Sequence, residues 1–261
     1  MMRTRRQFLR AAAGCLGIVG LSATVSAAGD YPERPDHITA SDDEAELKQY
    51  EPALHASYTT RQEMQALYGW KAESDNYQTD AYYYWMKYPS QASVWQDWFG
   101  FDGQWFGSKD AHLKDHEPVI VFADADTGEV DTVVYSSGHH YADELSADEA
   151  NLTQDWRSDP SHANLAVDPT HHHYNDEQEG DGAFASEFLG GTDRDIKSWL
   201  DARQAWYDND VFAKSSEDAV EDPWAARDRG MWWAEGTKDA RLKGIYQTLG
   251  LGGAGDVTRD L

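Results

Sequence analysis

The sequence predicts an α+β protein: a central antiparallel β-sandwich with helical N-terminal and C-terminal segments. Three observations predict it. Two apolar runs, Pro118 to Ala123 and Val130 to Ser136, flank the turn sequence Asp124-Ala-Asp-Thr-Gly-Glu129, a hairpin signal. Apolar residues recur at helical spacing only toward the two ends of the chain. Strand and helix patterns do not alternate, which argues against a doubly wound parallel sheet.

The elements follow in order. Residues 29 to 43, rich in Pro and charge, read as an extended leader. Thr59 or Thr60 can cap a helix running to about Tyr68, with Met64, Leu67 and Tyr68 on one side. Ala81-Tyr-Tyr-Tyr-Trp-Met-Lys-Tyr88 is aromatic throughout and stops at Pro89, as a buried strand does. Val94 to Gly107 alternates Trp and Phe with Gly and Asp and reads as a loop packed down by its own aromatics. The hairpin comes next; Asp124, Asp126 and Gly128 have a faint calcium-loop spacing, but the third acid and distal Glu are missing, so a plain turn is expected. Ser146-Ala-Asp-Glu149 is a capping box that predicts a short helix. Ile196, Trp199, Leu200 and Trp206 are spaced as on a helix, and a second helical stretch runs from about Ala219 to Leu249.

Residues 1–28 read as an export signal. Arg5-Arg6 form a twin-arginine pair, an apolar run covers Ala11 to Val25, and small residues follow at Ser26-Ala-Ala28. Cys15 lies too soon after the arginines for a lipid-anchor site, and it is the only cysteine, so the mature chain has none. An exported chain without disulfides must be held by core packing, bound metal or both. No later apolar run has the length of a membrane span. The expected organisation is thus a signal (1–28), a metal-binding β-sandwich domain (29–190) and a helical C-terminal segment packed on it (191–261).

Removing the signal, with Arg3, Arg5, Arg6, Arg10 and no acids, takes the formal charge from −25 to −29. That charge excludes nucleic acid as a partner, because phosphates need the opposite sign. It would suit a cationic partner, but the acids are spread along the whole chain, which points instead to a surface adapted to high salt. At molar salt the repulsion is screened within about 3 Å.

Chemistry-bearing residues concentrate in the middle of the chain, where eight of the ten histidines fall between His112 and His173. In Ala111-His-Leu-Lys-Asp-His-Glu117, an extended backbone puts Asp115 and Glu117 on one face and His116 on the other. His112 reaches that face if the chain bends. Such a set, mostly oxygen with one nitrogen, suits Ca or Mg better than Zn. Ser136-Ser-Gly-His-His-Tyr141 lies at the exit of the hairpin's second strand, so His139 or His140 is carried toward Asp115 and Glu117. In Pro169-Thr-His-His-His-Tyr174, an extended chain would put His171 and His173 on one face, either to complete a site or to bond within the fold. The zinc-protease helix motif, the Gly-x-Ser-x-Gly elbow and the phosphate-binding Gly-rich loop are all missing.

These residues resemble a family. The signature Gly-His-Arg-His-Asp-Trp-Glu of the necrosis-inducing-protein-like family is similar to residues 111–117, with His112, Asp115 and Glu117 at the same spacing and an apolar strand, Val119-Ile-Val-Phe122, after them. Ala81 to Pro89 resembles that family's aromatic strand, and Tyr135-Ser-Ser-Gly-His-His140 its Ser/His stretch; the resemblance covers about residues 80 to 175. It implies a secreted β-sandwich in which His112, Asp115 and Glu117 bind a divalent metal, Ca or Mg. Lys114 and His116 depart from the signature, and Ser90-Gln91 stands where a further metal-binding Asp is expected. Asp97, Asp102 or Asp110 are candidates to replace it. The family's attack on plant membranes through a sphingolipid headgroup is not carried over by default.

The leading expectation is a secreted metal-binding domain recognising a glycan or polar lipid headgroup, with aromatics between Trp95 and Phe106 as stacking surface. The alternative is an extracellular metal-dependent hydrolase with His116, His139 or His140 as acid/base. A third reading is a surface protein whose metal serves stability alone.

Overall fold

The computed structural model describes residues 35–88, 116–137, 141–154, 160–169, 172–176, 182–190, 194–200 and 222–229. Most of these residues form two sheets. The strands are β1 (Thr39–Ser41), β2 (Ala53–His55), β3 (Ala66–Glu73), β4 (Thr79–Lys87), β5 (His116–Asp124), β6 (Val130–Ser137), β7 (Tyr141–Ser146), β8 (Asn164–Val167), β9 (Tyr174–Asn175), β10 (Ala183–Phe184) and β11 (Lys197–Ser198). The larger sheet has the order β1-β3-β4-β5-β6-β7, with β11 also on β3; the smaller has the order β10-β2-β8-β9. The helices are short: α1 (Glu44–Gln49), α2 (Tyr58–Glu63), a 3-10 turn (Ala185–Phe188) and α3 (Pro223–Arg229). No helix among the described residues is long and apolar enough to cross a membrane.

From β3 to β7 every pairing is antiparallel and joins strands adjacent in sequence. The exceptions are β2 with β8 and β11 with β3, which run parallel. Strand β4 lies between β3 and β5 and is covered on both faces, which is why its sequence is aromatic without alternation. Tyr82, Tyr84 and Met86 enter one buried cluster, while Tyr83 and Trp85 enter another on the opposite face. The first cluster also takes Leu54, Leu165, Val167 and Tyr174, so it contains residues of both sheets.

The expected hairpin is β5–β6. Asp124 Oδ1 accepts from the backbone N–H of Asp126 (3.0 Å) and Thr127 (2.7 Å), which closes the turn. Gly128 takes φ +77°, a conformation that costs glycine little. The hydrogen bond from Thr127, with that from Asp126, holds the Asp124 carboxyl below the usual carboxylate range. Its donors all come from Asp126 and Thr127 within the turn itself.

Three elements differ from the sequence expectation. Ser57, not Thr59 or Thr60, caps α2, its hydroxyl accepting from Thr60 N–H at 3.1 Å, and the helix ends at Glu63. Leu67 and Tyr68 lie in β3 instead, because pairing along the whole of β4 outweighs a few residues of helical spacing. At the capping box, Ser146 N–H and hydroxyl both bond Glu149 Oε2 (2.9 and 2.6 Å), but the chain makes a turn and reaches Asn151 at φ +43°. Ile196 and Trp199 do not share a helical face: Lys197–Ser198 is β11, and the two residues enter different clusters. Of the second C-terminal stretch, Pro223–Arg229 is helical; its remainder lies outside the described residues, as does the aromatic segment from Val94 to Gly107.

Glu51 is buried, and its carboxylate accepts from Ser186 N–H at 2.5 Å, capping the 3-10 turn from another part of the chain. Burial pushes the Glu51 carboxyl up; the hydrogen bonds from Ser186 only partly offset this. The folded state therefore holds the Glu51 proton more tightly than the unfolded state. The stability it contributes is complete below the unfolded carboxylate range and declines as pH rises through the folded value. Glu51→Gln is expected to remove this decline, by at most about 1.4 kcal/mol per pH unit. Urea midpoints of both proteins between pH 4 and 7 in high salt check it; parallel curves would contradict it.

Candidate functional site

Sheet register places the site. Met86 pairs with Glu117 and Lys87 with His116 at the end of β4 and the start of β5. Ser137, at the end of β6, pairs with Tyr141. Since Val119 pairs with Tyr135, the start of β5 and the end of β6 lie at the same end of the sheet. Glu117 is on the β5 face that carries Val119, Val121 and Ala123, and it is 5% exposed. A carboxylate so buried needs polar company.

The turn between β8 and β9 arrives there too. Tyr174 Oη donates to the Glu117 carbonyl at 3.4 Å. The turn is closed by His172 N–H to Asp168 O (3.0 Å) and Asp168 N–H to His173 O (2.9 Å). His172 has φ +62°, uncommon outside glycine, and its ring stacks on Tyr88 at 4.1 Å with the planes 1° apart. Its Nε2 lies 3.3 Å from Glu63 Oε2, at the end of α2. Contacts to two separate segments thus accompany an unfavourable backbone conformation. His173 is also buried.

Of the residues singled out from sequence, Glu117, His173 and the backbone of His116 are placed, and all three belong to this end of the fold. His112, Asp115, Asp110, His139, His140 and His171 lie outside the described residues. The extended conformation expected through the third histidine cluster is corrected at His172, where the left-handed φ turns the chain, and β9 begins only at Tyr174. Sequence reading missed Glu63 as a partner for His172. It also missed the stacking role of Tyr88. Nothing in the local sequence signals a contact across 109 residues, whereas Tyr174 stands next to the histidines and is visible there.

The chemistry offered is a buried carboxylate, phenol hydroxyls and imidazoles close to the start of β5. Among the described residues no group of three or more His, Cys, Asp or Glu gathers as a metal would require. Asp124, at the other end of β5, is not part of this site.

No family model matches the chain, and no curated protein matches it. Solved structures do. The chain is distantly similar to necrosis- and ethylene-inducing proteins. Necrosis and ethylene inducing protein 2 from the causal agent of cocoa's witches' broom disease is 16% identical, at a TM-score of 0.39, over 71% of this chain and 90% of that one. NLPPya in complex with mannosamine is 14% identical, at 0.38, over 68% and 93%. A structure described as a toxin fold for microbial attack and plant defense is 13% identical, at 0.36, over 63% and 88%. At these TM-scores the likeness carries no part of the functional argument, which rests on the residues.

Proposed function

We propose that this chain is an exported, salt-adapted β-sandwich protein that holds a divalent cation and uses it to recognise a glycan or polar lipid headgroup. His112, Asp115 and Glu117 would hold the ion, with one of His139, His140, Asp110, His171 or His173 available to complete the shell. The observation that carries this reading is the position of Glu117, a buried acidic residue at the sheet end whose backbone carbonyl accepts from Tyr174. Asp115 and His112 precede it by two and five residues.

A carboxylate-rich donor set fits a hard cation, Ca or Mg, in preference to Zn. When bound, the ion would supply a positive centre for hydroxyl or phosphate oxygens. Within this reading Glu117 gives one oxygen ligand, and Tyr174, bonded to its backbone carbonyl, steadies the strand start.

The test is the metal content of the mature protein, purified in high salt without added metal, beside Asp115→Ala/Glu117→Ala. About one divalent ion per chain, lost in the variant, is the expected result; no ion in either protein, with the variant folding as well as its parent, would sink the reading. Free hexoses and amino sugars, whose hydroxyls a hard cation can bind, are practical first titrants for the loaded protein. Turnover of an ester or glycoside that chelation abolishes would favour a metal-dependent hydrolase instead.

A further inference from the structure

The second face of the larger sheet is covered by chain from both ends of the described fold. Ile38 and Ala40 come from the N-terminal side, and Trp199, Leu200, Trp224 and Ala226 from the C-terminal side; all six share one buried cluster. Polar contacts between the two ends converge on residues 37–44. The Ser198 hydroxyl bonds the Asp42 carboxylate, and Ile196 N–H donates to Glu44 Oε1 at 3.3 Å. Strands β1 and β11 lie along the same edge of β3.

His37 joins three segments. Its Nε2 is 3.1 Å from Asp222 Oδ2 and its Nδ1 is 3.1 Å from the Ser74 hydroxyl, in the turn between β3 and β4. A carboxylate can only accept, so Nε2 carries the hydrogen and, in the neutral ring, Nδ1 accepts from Ser74. Asp222 has a second task. Its Oδ1 accepts from the N–H groups of Trp224 (3.0 Å) and Ala225 (3.2 Å), capping α3. One carboxylate thus starts the helix and ties it to the N-terminal segment. Trp224 completes the joint: its ring stacks on Tyr77 at 4.4 Å, 4° from parallel, and its Nε1 donates to Thr79 Oγ1 at 3.0 Å.

We propose that His37 is the fastening pin of a strap, in which the N-terminal segment and helix α3 dock on the larger sheet, and release from it, as one unit. Loosening either end frees the carboxylate or the ring on which the other depends. Release uncovers the apolar surface around Phe122 and Tyr77 while strands β3 to β7 stay paired. The coupling must be reciprocal, because it is a free energy shared by both ends.

Native-state hydrogen exchange on the full mature chain in high salt tests it, reading the amides of Ile38, Ala225 and Ala226 against those of β5. Ile38 N–H bonds Pro35 O and Ala226 N–H bonds Asp222 O, so both report docking. His37→Ala is expected to speed all three amides together, by about tenfold for the loss of a hydrogen bond to a charged group, and to leave β5 unchanged. Trp224→Ala, made at the opposite end, is expected to speed Ile38 by a similar factor. His37→Gln, which keeps a side-chain donor and acceptor, should recover part of the protection. An Ile38 amide unmoved by Trp224→Ala, or acceleration confined to the neighbours of each substitution, would overturn the strap. So would equal acceleration of β5, which would mean that the ends unfold only with the whole.

Discussion

Replacing Lys71 with alanine is expected to cost about 3–5 kcal/mol of folding stability. Its ammonium lies 3.1 Å from Glu46 Oε2, 3.0 Å from Glu73 Oε1 and 3.5 Å from Asp80 Oδ2, and 5.4 Å from the centre of the Tyr82 ring. Strand geometry assembles this cluster: Tyr82 is directly opposite Lys71, Asp80 is a diagonal neighbour, and Glu73 is two residues along the same face. Burial alone would push the lysine down, but Tyr82 and the carboxylates of Glu73, Glu46 and Asp80 outweigh it and hold its pKa above the ordinary value. The Lys71 and Asp80 side chains are only 8% and 10% exposed, so alanine leaves the Asp80 carboxylate away from water without its ammonium. Salt will not rescue the variant, because screening by mobile ions acts on exposed pairs far more than on buried ones. Urea unfolding in molar salt is the measurement; a loss under about 1 kcal/mol would class the cluster with solvated surface pairs.

Trp70→Ala is expected to cost a comparable amount, about 3–5 kcal/mol, while Trp70→Phe, which leaves a smaller cavity, should cost less. Trp70 is 1% exposed and faces Tyr83 across β3 and β4, the rings 5.6 Å apart and 16° from parallel. The stack continues from Tyr83 to Trp85 (5.3 Å) and on to Trp199 (5.5 Å), so alanine would open a cavity at the end of a packed row. Phenylalanine keeps the stacked face. It also removes the Trp70 Nε1–H, which is buried and has no hydrogen-bond partner among the described residues. Deleting an unsatisfied buried donor recovers part of what the smaller ring loses. Thermal unfolding of the two variants, both without the indole N–H, measures what the retained ring restores. Equal losses would show that the stacked ring face contributes nothing beyond what alanine keeps.

Both predictions depend on cross-strand neighbours, and that is where sequence reading ran out. The β5–β6 hairpin was legible because its signals are local: apolar runs, Asp124 and Gly128 lie within one short stretch. The β4 strand was legible because a continuous aromatic run has few other uses. The helix expected through Leu67 and Tyr68 failed because a few residues of helical period weigh little against a full antiparallel partner. The strand at Lys197–Ser198 was hidden because two residues hold no period, and β3's free edge decides their conformation. The parallel pairing of β2 with β8 joins segments about 110 residues apart, without local signal.

For the candidate site, the sequence by itself determined which residue types are available and roughly where. It marked Glu117 at the head of an apolar strand, and it marked the histidines that cluster before β9. Only the tertiary structure decided that these two stretches meet through Tyr174, and that His172 turns back onto Tyr88 and Glu63. It also decided that the two ends of the described fold share His37 and Asp222. The physical reason is common to all three. Composition and short-range period are properties of neighbouring residues, whereas the burial of Glu117, the stacking of His172 and the sharing of Asp222 depend on which distant strands and turns pack together.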